Sequence, residues 1–360
     1  MRIGLLASVG HMIDSFFPEI IASWTAAGHA VSTAAGTPTA DGHGVVIAGL
    51  GRRPGPGMVA ARAGLRSWVR DAGIDVVVTN SATASGLVRS ASLDVPVVYF
   101  CHGLHWNTGT RPADRMWQTV ERSLLRRTSG IITINSDDHA WFAPHVEADR
   151  LLRLETGVGL DLERYAAAPA LPVAGNRLEL VWIGEFSPRK RPDLAVDVVA
   201  GLRAEGVDVR LRMLGDGPLR ARITDRVRRL DLADAVTAHG FGTVVDALSG
   251  SHGLLHTAAW EGLPRVMLEA VAVGRRSYAF DVKGVRDIPE ARLVADRDSA
   301  ALVTALAEDW STGRMTAPLA YDRSRLDSTE TAESVRVFLE TLVDSASRPA
   351  SSTAVGRGER

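Results

Sequence analysis

The sequence predicts an α/β protein built from two doubly wound parallel sheets in tandem. The chain has 360 residues, which is enough for about two domains. In both halves, short strands that are apolar on both faces alternate with helical patterns, as in parallel sheets covered by helices. A segment rich in Ala and Pro, residues 166–175, separates the halves. It has neither the periodicity of a helix nor the alternation of a strand. We therefore predict two domains joined by a short linker.

The composition is that of an ordinary globular protein. Hydrophobic residues make up 46% of the chain and charged residues 23%, which excludes collagen-like, coiled-coil and wholly disordered chains. The formal net charge is -1, so we expect no nucleic-acid partner. The single cysteine, Cys101, cannot form an internal disulfide, and we find neither a signal peptide nor an apolar stretch of about 18–20 residues. We expect a cytoplasmic protein.

The first half, residues 1–165, contains six predicted strands and two long helical patterns. The strands cover residues 2–8, a segment from 31, 44–48, 74–79, 95–100 and 130–134. The helical patterns cover residues 13–27 and 58–72, and Gly28 ends the first of them. This alternation defines the first Rossmann-like domain.

The second half, residues 176–344, repeats the alternation. Strands are predicted over residues 178–183, 207–214, 253–256 and 277–280, and helices over 193–205, 219–230 and 329–343. The tail, residues 345–360, is small, polar and aperiodic, so we expect it to be disordered. Two such domains would place a ligand in the cleft between them, where the carboxyl ends of both sheets face each other.

The segment 260–274 predicts a helix that points into this cleft. Gly262 permits an unusual turn, Pro264 suits the first helical position and Gly274 suits the far end. The free backbone N–H groups at the N-terminus of this helix, at Leu263 and Arg265, would hold a phosphate without a lysine.

Two carboxylates flank this predicted phosphate site. Glu261 lies at the mouth of the helix and Glu269 one turn beyond Arg265. Acidic residues near an anion are poor phosphate ligands, so their natural targets are hydroxyl groups of a ribose or a hexose. The alternative is that Glu261 caps the helix and Glu269 is a solvated position.

The arrangement Glu, seven residues, Glu in this segment resembles the nucleotide-sugar signature of retaining glycosyltransferases of family 4, whose GT-B fold has two facing Rossmann-like domains. Gly184 and Lys190 are similar to the family's glycine at a strand end and the lysine that grips the donor diphosphate. Gly215 and Gly217 are similar to its tight turn after the next strand, and residues 281–287 resemble the segment after its last helix.

The first half is similar to a subgroup that builds exopolysaccharide and capsule repeat units. Residues 100–106 resemble its His-Gly-x-His-aromatic segment, residues 132–138 its Thr-Ile-Asn strand, and residues 157–161 its Gly-x-Gly-x-Asp stretch. Two positions depart from the family pattern. Glu185 stands where an arginine is common, so Arg189, Arg191 or Arg265 would have to supply the second positive charge, and Ala258 replaces a small hydroxyl residue.

The resemblance implies roles for individual residues. The donor, a nucleoside diphosphate-sugar and in the first place a UDP-sugar, would bind mainly in the second domain. The implied catalytic residues are His102, Lys190 and Glu261. The implied donor-binding residues are Gly184, Lys190, Gly215, Gly217, Glu261, Gly262, Leu263, Pro264, Arg265 and Glu269. The implied acceptor-side residues are Gly10, His11, His105 and Trp106.

No metal and no other cofactor is expected, because Lys190 and the helix N-terminus would stabilise the charge on the leaving diphosphate. The adjacent carboxylates of Asp137 and Asp138 leave a Mg²⁺ site open as an alternative.

The predicted function is transfer, with retention, of a hexose-type sugar to a hydroxyl of a cell-surface polysaccharide precursor, free or linked to a lipid. A basic helix carrying Arg62, Arg66 and Arg70 is either a solvated face or a peripheral contact with the inner face of the membrane. Three alternatives remain open: a glycosyltransferase of small molecules or natural products, a sugar-nucleotide epimerase of the same fold, and a silent nucleotide-sugar-binding subunit.

Overall fold

The computed structural model describes residues 1–104, 106–107, 109–173 and 176–347, and it confirms two parallel α/β domains. The first sheet consists of β1 (Arg2–Ala7), β2 (Ala30–Ala35), β3 (Val45–Val46), β4 (Val76–Thr79), β5 (Val97–Cys101), β6 (Gly130–Thr133) and β7 (Leu151–Arg153). Their order is β3-β2-β1-β4-β5-β6-β7, and all neighbours are parallel. The order reverses between β1 and β4, which is where doubly wound sheets open their binding crevice.

Among the described residues, the first half of the chain forms six helices that cover this sheet. They are α1 (Gly10–Phe16), α2 (Pro18–Ala26), α3 (Met58–Asp71), α4 (Ala82–Ala91), α5 (Pro112–Leu125) and α6 (Ser136–Phe142). The helix predicted over 13–27 is thus two helices. Pro18 causes the break, because proline has no N–H for the preceding helix but fits the first position of a new one.

The second sheet repeats the same design. It consists of β8 (Leu178–Ile183), β9 (Val209–Leu214), β10 (Val236–His239), β11 (Gly253–His256), β12 (Arg276–Phe280) and β13 (Arg292–Val294), in the parallel order β10-β9-β8-β11-β12-β13. Its helices are α7 (Pro192–Ala204), α8 (Arg220–Arg229), α9 (Val244–Ser249), α10 (Arg265–Val273) and α11 (Ser299–Ser311). The sequence did not predict β10 and β13, because these edge strands are only partly buried and lack the two-sided apolar pattern.

The last helix, α12 (Ser328–Ser347), returns to the first domain. Ala332, Val335 and Leu339 are buried in the first core, and the indole N–H of Trp24 on α2 donates a 2.9 Å hydrogen bond to the Ala332 carbonyl. The assignment of this helix to the second domain is therefore corrected, because its periodicity reveals an apolar face but not the core that the face covers. The helix also includes residues 345–347 of the tail that was predicted to be disordered. The remainder of that tail, 348–360, lies outside the described residues.

The chain between the domains is held against the second one. The Arg275 guanidinium donates to the carbonyls of Ala168 and Pro169, at 3.3 and 2.7 Å. Residues 166–173 of the predicted linker contain neither helix nor strand, and residues 174–175 lie outside the description. None of the helices formed by the described residues is both long and apolar enough to cross a membrane.

Candidate functional site

A cavity of about 260 Å³ opens between the carboxyl ends of the two sheets. The first domain contributes Phe16, His102 and Ile134 to its wall, and the second contributes Arg189, Glu261 and Arg265. His102 follows β5, Arg189 lies in the loop after β8, and Glu261 lies between β11 and α10. The cleft therefore brings together charged residues from two loops of the second domain opposite a histidine of the first.

Glu261 is the centre of this site. Its side chain is 9% exposed, and its carboxylate accepts from Lys190 Nζ at 2.5 Å and from Arg189 Nη1 at 2.5 Å. Nε2 of the buried His256 lies 3.5 Å from the same carboxylate. Two cations and an imidazole thus surround one carboxylate at the edge of the cleft.

This environment determines the charge of Glu261. Burial alone would raise its pKa, but the His256 ring and the positive charges of Lys190 and Arg189 outweigh burial and hold the pKa well below its usual range. Glu261 is therefore ionised at every pH near neutrality. Burial lowers the pKa of His256, so its ring is neutral there.

The structure identifies which arginine joins Lys190. Arg189 reaches Glu261, and its guanidinium also lies 5.3 Å from the ring of Trp260. Arg191 turns away and pairs with Asp296 at 2.5 Å, whereas Arg265 pairs with Glu269. A backbone hydrogen bond from Ala259 N to the Arg189 carbonyl, 2.8 Å long, ties this loop to the segment that follows β11.

Glu269 lies on α10, two turns beyond Glu261. Its Oε1 accepts from the Tyr165 hydroxyl at 2.7 Å and from Arg265 Nε at 3.2 Å. Burial and the Glu269 charge raise the pKa of Tyr165 to about 12. Nη1 of Arg265 is buried without a hydrogen-bond partner among the described residues. Tyr165 was not predicted as a site residue, because nothing in the sequence near position 165 distinguishes it.

The termini of α10 differ slightly from the prediction. Pro264 is the residue before the helix, which begins at Arg265, rather than the first helical residue. Gly274 ends the helix with a φ of 85°, the left-handed conformation that glycine adopts at low cost. Leu263 packs against the hydrophobic cores of both domains.

His102 presents a neutral ring to the cleft. It stacks on Phe100 with 4.5 Å between ring centroids, and its Nε2 lies 3.5 Å from Asn80 Oδ1. Burial lowers the pKa of His102 to about 4, so the ring carries no charge at neutral pH. Such a ring can exchange hydrogen bonds with hydroxyl groups.

At Gly262 the backbone of the second domain packs against that of the first. A Cβ atom at this position would lie 1.8 Å from the carbonyl oxygen of His102, in the other domain. Gly262 does not have a positive φ, so the prediction that it permits an unusual turn is wrong. Glycine is required because the backbones of the two domains touch there.

Gly262→Ala is expected to separate the domains and to lower the free energy of unfolding by about 1–3 kcal/mol, the usual cost of an overpacked contact. Urea unfolding measures this effect. Gly86→Ala on α4 is the matched control, because its Cβ would meet nothing within 4 Å and it should be neutral or stabilising. Equal stability of Gly262→Ala and the parent protein would contradict the close contact.

The predicted glycines of the second domain line a separate, larger hollow. Gly184, Gly215 and Gly217 form part of a cavity of about 670 Å³ at the carboxyl ends of β8 and β9, together with Glu185 and Phe241. A Cβ on Gly215 would lie 2.0 Å from the Gly184 carbonyl oxygen, so this turn can close only with glycine. Phe241 is 89% exposed at the rim, and sequence reasoning missed it.

None of the described residues that were predicted for the acceptor side lines the cleft cavity. Gly10 faces the backbone of its own domain, where a Cβ would lie 2.1 Å from the Pro38 carbonyl oxygen, and His11 is exposed on α1. Neither lines the cleft cavity, whereas the neighbouring Phe16 does. Trp106 is 6% exposed and packs edge-on against Trp141, so its ring belongs to the core. His105 lies outside the described residues.

A buried lysine fixes the loop that carries these residues. Lys283 Nζ, from the second domain, donates to the carbonyls of Leu104 and Trp106 at 3.2 and 2.9 Å and pairs with Asp138 at 2.6 Å. The Lys283 and Asp138 side chains are only 4% and 2% exposed. The sequence singled out both segments but gave no signal that they meet.

Further polar contacts join the domains beside this pair. Asp287 accepts from the backbone N–H of Ser136 and pairs with Arg153 at 2.7 Å, and Arg286 pairs with Asp137 at 2.7 Å. The carboxylates of Asp137 and Asp138, which were considered for a metal, are thus engaged by cations of the second domain.

Comparisons with known proteins agree with this architecture. Residues 14–157 match the family model described as a glycosyl transferase 4-like domain, and residues 177–310 match the model described as glycosyl transferases group 1. The chain is similar to a protein named as a colanic acid biosynthesis glycosyltransferase, WcaL, of Salmonella typhimurium, with 27% identity over 173 residues, 42% of this chain and 40% of that protein.

A second relative is the 2-deoxystreptamine glucosyltransferase of Streptomyces kanamyceticus, 28% identical over 181 residues, 47% of this chain and 46% of that protein. The matches therefore span less than half of either relative's length. Among solved structures, HepE of Anabaena in complex with UDP is similar over 95% of this chain and 100% of that protein, with a TM-score of 0.78 and 19% identity. This last likeness concerns the fold.

Proposed function

The chain belongs to the GT-B glycosyltransferases of the family 4 type, and from this premise we propose that it transfers a hexose-type sugar from a nucleoside diphosphate-sugar to a hydroxyl of a polysaccharide precursor. The observation that supports this proposal most is the carboxylate of Glu261, held by Lys190 and Arg189 at the mouth of the interdomain cleft. The two cations suit a diphosphate, and the carboxylate suits sugar hydroxyls. The structure of HepE with UDP supports a UDP-sugar as the donor.

The ion pairs of Glu261 suggest how the donor would be accommodated. A diphosphate would take over the positive charges of Lys190 and Arg189, which stabilise the negative charge that develops on the leaving group. Release from its ion pairs would leave Glu261 free to accept hydrogen bonds from hydroxyls of the donor sugar. Arg189 would then supply the second positive charge that Glu185 cannot, so the departure at position 185 is compensated within the same loop.

Glu269 and the start of α10 would hold the rest of the donor. Tyr165 and Arg265 both contact Oε1 of Glu269, so Oε2 would accept from the ribose hydroxyls. The N–H groups of Leu263 and Arg265, at the positive end of the α10 dipole, would face the phosphates. The neutral ring of His102, across the cleft, would orient the donor sugar or the incoming hydroxyl, and the reaction would proceed with retention at the anomeric carbon.

The acceptor is proposed from the relatives. The similarity to WcaL, named for colanic acid biosynthesis, favours a polysaccharide precursor, either free or linked to a lipid. A small-molecule acceptor is the second candidate, because the chain is about equally similar to the 2-deoxystreptamine glucosyltransferase. A polysaccharide precursor and a small-molecule acceptor differ in the size of the group that must fit between Phe16, His102 and the loop after β5.

Thermal unfolding with UDP-, GDP- and dTDP-sugars tests the donor site. At a hundredfold excess over Kd, the true donor series should add about 2.7 kcal/mol to the free energy of unfolding. Lys190→Ala and Glu269→Ala should abolish this gain. Arg191→Ala is the matched control, because its guanidinium pairs with Asp296 instead of the site carboxylates, and it should keep the gain.

Activity assays on the same protein then distinguish a glycosyltransferase from an epimerase and from a silent subunit. Transfer of labelled sugar that requires an added acceptor supports a glycosyltransferase, whereas conversion of the nucleotide-sugar alone would indicate an epimerase. Binding without either reaction, over a panel of glycan and aminocyclitol acceptors, would indicate a silent subunit. No stabilisation by any nucleotide-sugar would overturn the donor-site assignment.

A further inference from the structure

His256, the last residue of β11, has a buried imidazole ring with an unpaired nitrogen. The residue is 2% exposed and stands at the carboxyl end of its strand, where the cleft opens. Its Nε2 has no hydrogen-bond partner among the described residues. A buried polar atom without a partner destabilises the fold, so an unpaired nitrogen beside a functional site indicates a role outside the fold itself.

The Glu261 carboxylate lies beside this nitrogen but is held by other groups. Oε1 of Glu261 is 3.5 Å from His256 Nε2, and the two groups are not oriented for a hydrogen bond. The same Oε1 accepts from Lys190 Nζ at 2.5 Å, and Oε2 accepts from Arg189 Nη1 at 2.5 Å. The two cations thus engage both oxygens of the carboxylate, and the imidazole is left without a bond to it.

Buried hydrogen bonds fix the backbone around this contact. The hydroxyl of Thr257, the residue after His256, accepts from the Trp182 indole N–H at 3.0 Å. It shares its own proton between the carbonyls of Lys190 and Arg191, each 2.9 Å away. The backbones that carry His256 and Lys190 are therefore tied together, so a movement of the Lys190 side chain would leave the imidazole in place.

Three charged side chains act on the His256 ring. Lys190 and Arg189, from the loop after β8, oppose its protonation, whereas Glu261 favours it. Burial, the largest effect, lowers the pKa of His256, and the ring is neutral while both cations contact Glu261. The residue opposite His256 on β12 is Ala279, which carries no charge.

Other charged residues near this end of the sheet are paired or solvated. On α10, which packs on β11, Arg265 pairs with Glu269 at 3.2 Å. After β12, Asp281 pairs with Arg286 at 2.8 Å, and after β8, Glu185 is exposed to solvent. The charge of the imidazole therefore depends chiefly on which groups contact the Glu261 carboxylate.

Binding of the donor would change those groups. In the proposed function, the doubly negative diphosphate takes over Lys190 and Arg189, which would leave Glu261 as a buried charge without a cation. Such a charge strongly destabilises a protein unless a new partner compensates it. We propose that His256 takes up a proton from solvent when the donor binds, and that the imidazolium then holds Glu261 through a hydrogen bond from Nε2–H to Oε1.

His256 is thus a positioning residue that acts through Glu261. With Oε1 held by a charge-assisted hydrogen bond, Oε2 of Glu261 would remain for a hydroxyl of the donor sugar. The added proton would also offset the negative charge of the carboxylate next to the leaving diphosphate. The inference rests on the proposed function, because it needs a donor that displaces the two cations.

Titration calorimetry of the full chain, with the nucleotide-sugar series selected by thermal unfolding, tests this inference. Binding heats at neutral pH in Pipes and in Tris, which differ in ionisation enthalpy, give the number of protons taken up. We expect about 0.5–1 proton per bound donor. Because the bound state holds more protons, the donor Kd should rise with pH between about 6 and 8, by up to about tenfold per pH unit.

His256→Gln should bind the donor without proton uptake and with a Kd that stays constant over this pH range. Its amide can donate to Glu261 but cannot be protonated. A merely structural role of His256 would change the stability of the variant and leave the proton count as it is. His252→Gln is the matched control, because His252 is also buried with an unpaired Nε2 but lies at the amino end of β11. It should keep the proton uptake of the parent protein.

The outcomes separate this inference from the donor site. Donor binding by the parent protein without proton uptake would overturn the inference and leave the donor site standing, and this measurement requires no variant. Uptake that persists in His256→Gln would assign the proton to another group, such as His102, and would also overturn it. If no nucleotide-sugar stabilises the protein or gives a binding heat, the donor-site assignment fails, and this inference fails with it.

Discussion

Replacing Glu261 by Gln is expected to lower the rate of sugar transfer by about 10²–10³-fold, the usual effect of removing one preorganised polar group from an active site. Gln keeps the shape of the side chain but removes the charge that positions Lys190 and Arg189. Its amide would accept only weak hydrogen bonds from a sugar. Initial rates with saturating nucleotide-sugar and acceptor measure the loss.

Asp296→Asn provides the matched control for this variant. Asp296 forms the equivalent ion pair with Arg191, the residue after Lys190, but its side chain is 43% exposed and lies outside the cleft cavity. An exposed pair of this kind contributes about 0–1 kcal/mol, so the control should keep both activity and stability. Full activity of Glu261→Gln would remove Glu261 from the catalytic residues. A similar loss in Asp296→Asn would show that the charge of the loop as a whole, and not the site carboxylate, matters.

Lys283→Met should have the largest effect on stability, lowering the free energy of unfolding by about 3–5 kcal/mol. The substitution leaves the buried Asp138 carboxylate without its cation and the carbonyls of Leu104 and Trp106 without a donor. An unpaired charge in the interior destabilises the folded state, because a medium of low polarity solvates the charge poorly. The midpoint of urea unfolding at neutral pH measures the change.

Two further variants separate the buried pair from ordinary surface charge. Arg286→Met removes a half-exposed cation that pairs with Asp137 and Asp281, and it should cost about 1 kcal/mol or less. Lys283→Met combined with Asp138→Asn removes both buried charges and should recover part of the loss. If Lys283→Met alone has a small effect, the domains separate in solution and water reaches Asp138.

Most of the fold could be predicted from the sequence, and the failures have identifiable causes. The central strands are buried on both faces, so they are continuous apolar runs, and their limits agree with the prediction to within about three residues. The edge strands β10 and β13 are half solvated and carry no such run. α5 was not predicted because Met116, Trp117 and Val120 are exposed and its one buried residue is Glu121, so its sequence lacks the apolar stripe that indicates a packed helix.

The candidate site, like the fold, could be predicted from the sequence only in part. Glu261 and Glu269 could be selected from the sequence, because their spacing around a helix N-terminus is visible in one segment of chain. Lys190 was selected through the resemblance to the family. The side chains that contact these residues could not be selected from the sequence. Arg189 rather than Arg191 reaches Glu261, and Tyr165 reaches Glu269 from a residue 104 positions earlier in the chain. Which of several adjacent side chains points into a cleft depends on the turn that carries it.

The sequence by itself determined that this protein is a pair of doubly wound α/β domains, where several of its helices end, and which loop carries the carboxylates. These features follow from local periodicity, glycine and proline positions and composition, all of which act over a few residues. Only the tertiary structure decided that Gly262 touches His102, that Lys283 enters the first domain and that α12 crosses back to it. These contacts join residues far apart in the chain, and their energies exist only once the two sheets have packed against each other.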